Sequence, residues 1–288
     1  MAPDERLLTT APGLAPLYAR AVLTGPRRHG DSLPDGPRYR LAAAPVDPDR
    51  LAAYQQLCGF RVGDVLPPTF LHLLSFPLSV ARLTAADFPF PLLGLVHVDN
   101  VIVQHRPVRP DEPVELEVWA EGLRPHPSGR QFDVRSRAFV DGAEVWSETS
   151  TYLRREASAD RPPRDRRPSP QRTAGTGAVM RWRVPADLGR RYAALSGDRN
   201  PIHLYPLTAR AFGFRRPIAH GMWVKARVLA AFEGRLPEAF TATASFKTPV
   251  LLPATVELTS VPTAAGRAVE LHDARSGKPH LTLEFEFG

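Results

Sequence analysis

Asp198, Asn200 and His203 put a carboxylate, an amide and an imidazole on one short stretch, Tyr-Ala-Ala-Leu-Ser-Gly-Asp-Arg-Asn-Pro-Ile-His, that runs from Tyr192 to His203. An Asp and a His five positions apart, across a turn, can converge on one small molecule such as water, which is the geometry general acid–base chemistry needs. The local residues support a turn. Gly197 permits a positive φ, Asp198 and Asn200 suit side-chain bonds to nearby backbone, and Pro201 opens a helical turn that carries His203. Read alone, Ser-Gly-Asp would serve equally well as a plain capped turn.

The whole string discriminates better. Tyr192, Leu195, Ser196, Gly197, Asp198, Asn200, Pro201, Ile202, His203 and Ala209 fill every specified slot of the hydratase-2 motif, and Pro217-Ile-Ala-His-Gly221 follows closely. On these residues the chain resembles the MaoC-like dehydratases, the (R)-specific enoyl-CoA hydratases in their two-hotdog form. The resemblance implies hydration of trans-2-enoyl thioesters, or dehydration of (R)-3-hydroxyacyl thioesters, in fatty acid or related acyl metabolism.

That reaction needs a hydroxide equivalent at C3, a proton at C2 and stabilisation of enolate charge on the thioester oxygen. Asp198 and His203 would hold the water and move its protons, with either one acting on oxygen and the other on carbon, while Asn200 orients the loop or the water. Gly221 opens a long apolar helix, where first-turn N–H groups lack intrahelical acceptors, so its amide is the expected oxyanion donor. Its other reading is close packing of helix on sheet.

Ser196, Gly197, Pro201 and His220 complete the substrate-binding set from the motif. Arg215, Arg216 and Lys247 are available for the phosphates of coenzyme A or of a carrier protein's phosphopantetheine arm. Where some family members carry a small polar residue further along the helix, this chain has Val228, Leu229 and Ala230.

The elements that must position these groups can be read around them. A helix carries Tyr192, and residues 217–232 are apolar on nearly all sides except Lys225, Arg227 and the turn before Met222, so something must wrap them. Three segments alternate apolar and polar residues: Phe240 to Lys247, Val256 to Thr259, and Leu281 to Phe287. They read as half-buried antiparallel strands around that helix.

The first half repeats the second. Val46 to Gly59 aligns with Val184 to Gly197, and Arg106 to Leu116 with Thr248 to Leu258. In it Asp47-Pro48 opens a helix, the apolar stretch from Phe70 to Leu83 is interrupted by Pro77, and Asp141-Gly142 marks a hairpin. The expected fold is therefore α+β, a double hotdog: residues 38–155 and 178–288, an N-terminal arm at 1–37 and a flexible linker at 156–177. Phe60 stands where the second copy has Asp198, and no histidine follows it. The first copy is expected to be structural, with His72, His97 and His105 as core or surface residues.

The chain has 288 residues, a formal charge of +7 and one cysteine, Cys58. One cysteine excludes an intrachain disulfide and a cysteine zinc cluster. From Arg154 to Arg172 seven arginines face three acidic residues, with no aromatic residues interleaved that could stack on bases, so nucleic acid is not expected as a partner. No apolar run is long enough for a membrane span, and Met-Ala-Pro-Asp-Glu-Arg lacks the order of a signal peptide. A cytoplasmic protein without metal or nicotinamide cofactor is expected, with an acyl-CoA or acyl carrier protein thioester as substrate and a homodimer as the expected assembly. The competing activities are a hotdog thioesterase and a non-catalytic acyl-thioester binder.

Overall fold

The computed structural model describes residues 5–25, 28, 30–33, 36–156 and 179–287. All but the first residue of the expected linker, and parts of the N-terminal arm, lie outside them. Contacts divide the chain into two units, Met1–Ala53 with Val62–Ser158, and Tyr54–Arg61 with Ala159–Gly288.

In the first unit the strands are β1 (Glu5–Leu8), β2 (Arg38–Ala44), β3 (Leu95–Gln104), β4 (Val114–His126), β5 (Gly129–Val140) and β6 (Ala143–Arg155). They lie in the order β1-β2-β4-β5-β6-β3, antiparallel except for β1 on β2. Asp141 (φ 50°) and Gly142 (φ 77°) make the two-residue turn between β5 and β6, the left-handed pair that matches the twist of a hairpin. The arm contributes β1 and the helix α1 (Leu14–Thr24). Helix α2 (Pro48–Cys58) starts where Asp47 Oδ1 accepts the N–H groups of Asp49 (2.9 Å) and Arg50 (3.3 Å).

The sheet wraps α3 (Pro68–Leu83), a helix that sequence reads as interrupted at Pro77 but that runs through it. Proline forfeits one helical N–H bond. Burial of thirteen of the sixteen residues, from Thr69 to Leu83, outweighs that loss.

The second unit has β7 (Val179–Val184), α4 (Leu188–Ser196), α5 (Pro206–Ala211), α6 (Gly221–Ala231), β8 (Phe240–Phe246), β9 (Ala254–Thr263), β10 (Gly266–Asp273) and β11 (Pro279–Phe287). Its order, β8-β11-β10-β9-β7, is that of β3-β6-β5-β4-β2 in the first unit, all antiparallel. With α2 answering α4 and α3 answering α6, each half is a hotdog, a buried helix wrapped by a curved antiparallel sheet. The fold class is α+β.

Helix α6 begins at Gly221, as the sequence reading expects, and the apolar residues just before it lie outside the helix. Residues 217–220 are instead extended backbone: Ile218 bridges Leu251, Ala219 N–H donates to Val250 (2.9 Å) and Pro217 accepts from Leu252 (2.8 Å).

One short segment departs from the sequence-based division. Tyr54–Arg61, the end of α2 and the residues after it, clusters with the second unit. Trp223 Nε1 donates to the Leu57 carbonyl (3.1 Å), Arg61 N–H donates to Glu233 (2.8 Å), and the Tyr54 ring lies 6.2 Å from that of Tyr192. Among the described residues no helix is long and apolar enough to cross a membrane.

Candidate active site

The loop after α4 is built by its own side chains. Gly197 (φ 77°) ends the helix in the left-handed region, its N–H donating to Ala193 (3.0 Å), a conformation that costs glycine nothing. Ser196 Oγ accepts the N–H of Asp198 (3.1 Å), Asp198 Oδ1 accepts that of Asn200 (3.1 Å), and Asn200 Oδ1 accepts that of Ile202 (3.4 Å). Pro201 then opens a single 3-10 turn, Pro201–His203. The Asn200 side-chain oxygen is thus bonded within the loop itself.

A second strand of backbone completes the site. His203 Nδ1 lies 2.8 Å from the Ile218 carbonyl, which can only accept, so the proton sits on Nδ1 and Nε2 keeps a free lone pair. His220 Nε2 donates to the Asp198 carbonyl oxygen at 3.0 Å and lies 3.8 Å from Asp198 Oδ2. The two imidazoles stack with centroids 3.6 Å apart, and the Tyr192 ring packs against His220 at 4.8 Å in a tilted arrangement.

Burial sets the charge states. His203 is held below the usual imidazole range, first by desolvation, against the opposing pull of Asp198 and the Ile218 bond. His220 is pushed down to about 3, again by desolvation first and then by His203 beside it. Its approach to the Asp198 carboxylate is therefore a neutral contact and not an ion pair. Two neutral rings can stack; two imidazoliums would repel.

Asp198, His203 and His220 place ligand-type atoms all within 4.8 Å of one another, the grouping among the described residues that could in principle hold an ion. Each imidazole already spends one nitrogen on a backbone carbonyl. The same atoms suit holding and moving protons.

Gly221 is the first residue of α6, and its missing side chain admits the Phe246 ring, which a Cβ would meet at 3.1 Å. Arg215 and Arg216 are exposed on the loop after α5, with Arg216 Nη1 3.4 Å from the Pro253 carbonyl. Lys247 is exposed beyond β8, and its N–H donates to His280. The bonds above bring Ser196, Gly197, Asp198, Asn200, Pro201, His203 and His220 together; these three basic residues are not among their partners.

Two supports escape a reading of motifs. The Ile218 carbonyl selects the tautomer of His203, and a backbone oxygen leaves no mark on sequence. Gly189, in the first turn of α4, has no room for a Cβ, which would fall on the His203 carbonyl oxygen. Gly189→Ala should therefore cost about 1–3 kcal/mol, the range for overpacking, and lower kcat by more than that destabilisation explains. Gly63→Ala, where a Cβ meets nothing within 4 Å, is the control. Thermal melts and turnover on both variants check this, and an active, fully stable Gly189→Ala protein would refute it.

Comparison with known proteins agrees with this geometry. The model of the MaoC like domain matches residues 157–281, the half that contains the loop. The chain is 36% identical over 282 residues, 96% of its own length and 95% of the other's, to 3-hydroxyacyl-thioester dehydratase X of Mycobacterium tuberculosis. The crystal structure of HtdX from that organism superposes with a TM-score of 0.75 at 36% identity, covering 86% of this chain and 98% of that one. A further M. tuberculosis protein, described as having a double hotdog fold, matches in fold with a TM-score of 0.53 at 14% identity, over 86% of this chain and 94% of its own. The chain belongs to the MaoC-like dehydratase family.

Proposed function

We propose that the protein is a hydro-lyase that interconverts trans-2-enoyl thioesters and (R)-3-hydroxyacyl thioesters, with the second unit carrying the chemistry. The observation that carries this reading is the pairing of a bare His203 Nε2 with the Asp198 carboxylate, whose side chain is 28% exposed. Both are acceptors, so together they suit the two O–H groups of one water.

In the dehydration direction this pair takes the C2 proton, electron density moves to the thioester oxygen, the C3–O bond breaks and the proton leaves with the hydroxyl as water. Hydration is the reverse. Gly221, at the open end of α6, offers the N–H for the oxygen that becomes negative. Ser196, Gly197 and Pro201 shape the loop around the substrate, and His220 braces Asp198 and His203. Arg215, Arg216 and Lys247 contribute positive charge toward the phosphate of the thioester's carrier.

The first copy of the repeat has Phe60 in place of the aspartate and serves as structure. Its His72 is buried, with Nδ1 2.9 Å and 3.0 Å from the two Glu148 oxygens. The site's own titratable groups supply the reaction, with no metal or nicotinamide called for. A cytoplasmic setting suits Cys58, a lone buried cysteine whose thiol burial pushes up to about 12.

Incubation with crotonyl-CoA tests the reading. Loss of the enone absorbance without free thiol marks hydration, free thiol marks a thioesterase, and neither marks a binder.

The pH dependence follows from burial. A base whose folded pKa lies below the ordinary 6.5 stays neutral in mildly acidic solution, so the acidic limb of kcat/KM should fall below pH 6.5. Stability behaves in step. The unfolded chain takes up protons near pH 6.5 that His203 and His220 refuse in the fold, so stability is full above about 6.5 and falls as pH drops toward the folded value, about 3 for His220. A rate profile with its acidic limb above 6.5 would contradict this assignment of the base.

A further inference from the structure

The loop that carries Asp198 and His203 runs straight into α5, and α5 stands out from the surface. Leu207 is 78% exposed, Tyr205 53% and Phe212 41%. Three large apolar side chains left in water within eight residues make a local patch of the kind that marks contact surfaces.

The charges around that patch share one sign. Arg190, Arg191, Arg210, Arg215 and Arg216 are all exposed, and none of the five forms an ion pair among the described residues. The acidic residues from 187 to 216 are Asp187 and Asp198, both half-buried. Arg190 lies 5.4 Å over the Tyr205 ring and donates to the Leu204 carbonyl (3.3 Å), so positive charge is anchored on the apolar patch itself. Thr208 Oγ1 donates to the Pro201 carbonyl at 2.7 Å, which fastens α5 to the turn bearing His203.

A free nucleotide is held in a concavity where donors converge. Leu207, 78% exposed, is open to solvent and gives a ligand of that kind little enclosure. An isologous contact between two copies would set the arginines against one another. The complementary surface is an acidic helical one with its own apolar ridge, met by an apolar centre and a charged rim.

We propose that α5 and its flanking arginines dock a small acidic carrier protein, which delivers its acyl thioester on a prosthetic arm to Asp198 and His203. This rests on the acyl-thioester reading above and names the partner that presents the substrate.

The test uses the full chain with Leu207→Asp and Arg210→Glu, singly and together, both substitutions at exposed positions. A fluorescently labelled bacterial acyl carrier protein charged with a crotonyl group serves as the binding probe, read by anisotropy at low and high salt. Turnover is read on that carrier, on crotonyl-CoA and on the carrier-free crotonyl-N-acetylcysteamine thioester.

Expected are salt-sensitive binding by the wild type, Kd and KM for the charged carrier at least ten-fold higher in the double variant, and kcat/KM on the carrier-free thioester within about two-fold of wild type. The proposal is overturned by an absence of wild-type binding, by unchanged Kd in the double variant, by an equal loss on the CoA or carrier-free thioester, or by a drop in oligomer mass, which would make the patch an interface between copies. Binding of the carrier without turnover of any thioester would defeat the hydro-lyase reading and leave the docking surface standing. Turnover of crotonyl-CoA without carrier binding would do the reverse.

Discussion

Asp198→Asn and His203→Gln should each lower kcat for crotonyl-CoA hydration by at least ~100-fold, the scale of a lost acid–base group. The geometry says why neither substitution is rescued by its neighbour. Asparagine at 198 can still accept the Asn200 N–H through Oδ1, so the loop keeps its shape, but the amide no longer takes a proton. Glutamine at 203 has no basic lone pair where Nε2 stood. His220 cannot substitute, because its own Nε2 proton is committed to the Asp198 carbonyl and its pKa lies near 3. The Asp198 variant should melt close to wild type. The His203 variant should lose somewhat more stability, because a buried ring stacked at 3.6 Å disappears. Steady-state rates and thermal melts measure both effects, and near wild-type turnover in both proteins would end the assignment.

Hydration should yield one enantiomer in at least about hundredfold excess, and the resemblance to the hydratase-2 motif makes the (R)-3-hydroxyacyl thioester the expected one. On the proposed mechanism, water held by Asp198 and His203 would reach only one face of C3 while the thioester oxygen stays on the Gly221 N–H. Turning the enoyl group over forfeits that bond. Removing one oxyanion donor costs about 2.7 kcal/mol or more, and about 2.7 kcal/mol is a hundredfold in rate. Coupling the reaction to an (S)-specific 3-hydroxyacyl-CoA dehydrogenase with NAD+ reads the outcome. Consumed enone with little NADH is the expected result, and stoichiometric NADH would refute it.

What the sequence by itself determined is the part of this protein written in short-range chemistry. The turn after α4 needs a left-handed residue and side chains that bond two residues along, and Gly197, Asp198, Asn200 and Pro201 are such residues in the required order. The Asp141-Gly142 hairpin, the start of α2 at Asp47-Pro48 and the alternating strands are of the same kind. The duplication was legible because the repeat preserves spacing even where it discards Asp198 for Phe60.

Tertiary structure decided the rest. Helix α3 persists through Pro77 because burial of its faces outweighs one missing bond, a balance that local propensity does not contain. Residues 217–220 pair with the chain near Leu251, a long-range pairing that places the Ile218 carbonyl on His203. The stack of His203 on His220, the bond from His203 to Ile218 and the absence of space at Gly189 arise from contacts between residues 14 to 17 positions apart, and burial in the folded chain is the first cause of both depressed imidazole pKa values. Residue type thus carries the proposal of proton chemistry, while the tautomer, charge state and orientation of the imidazoles depend on distances and desolvation that exist only in the folded chain.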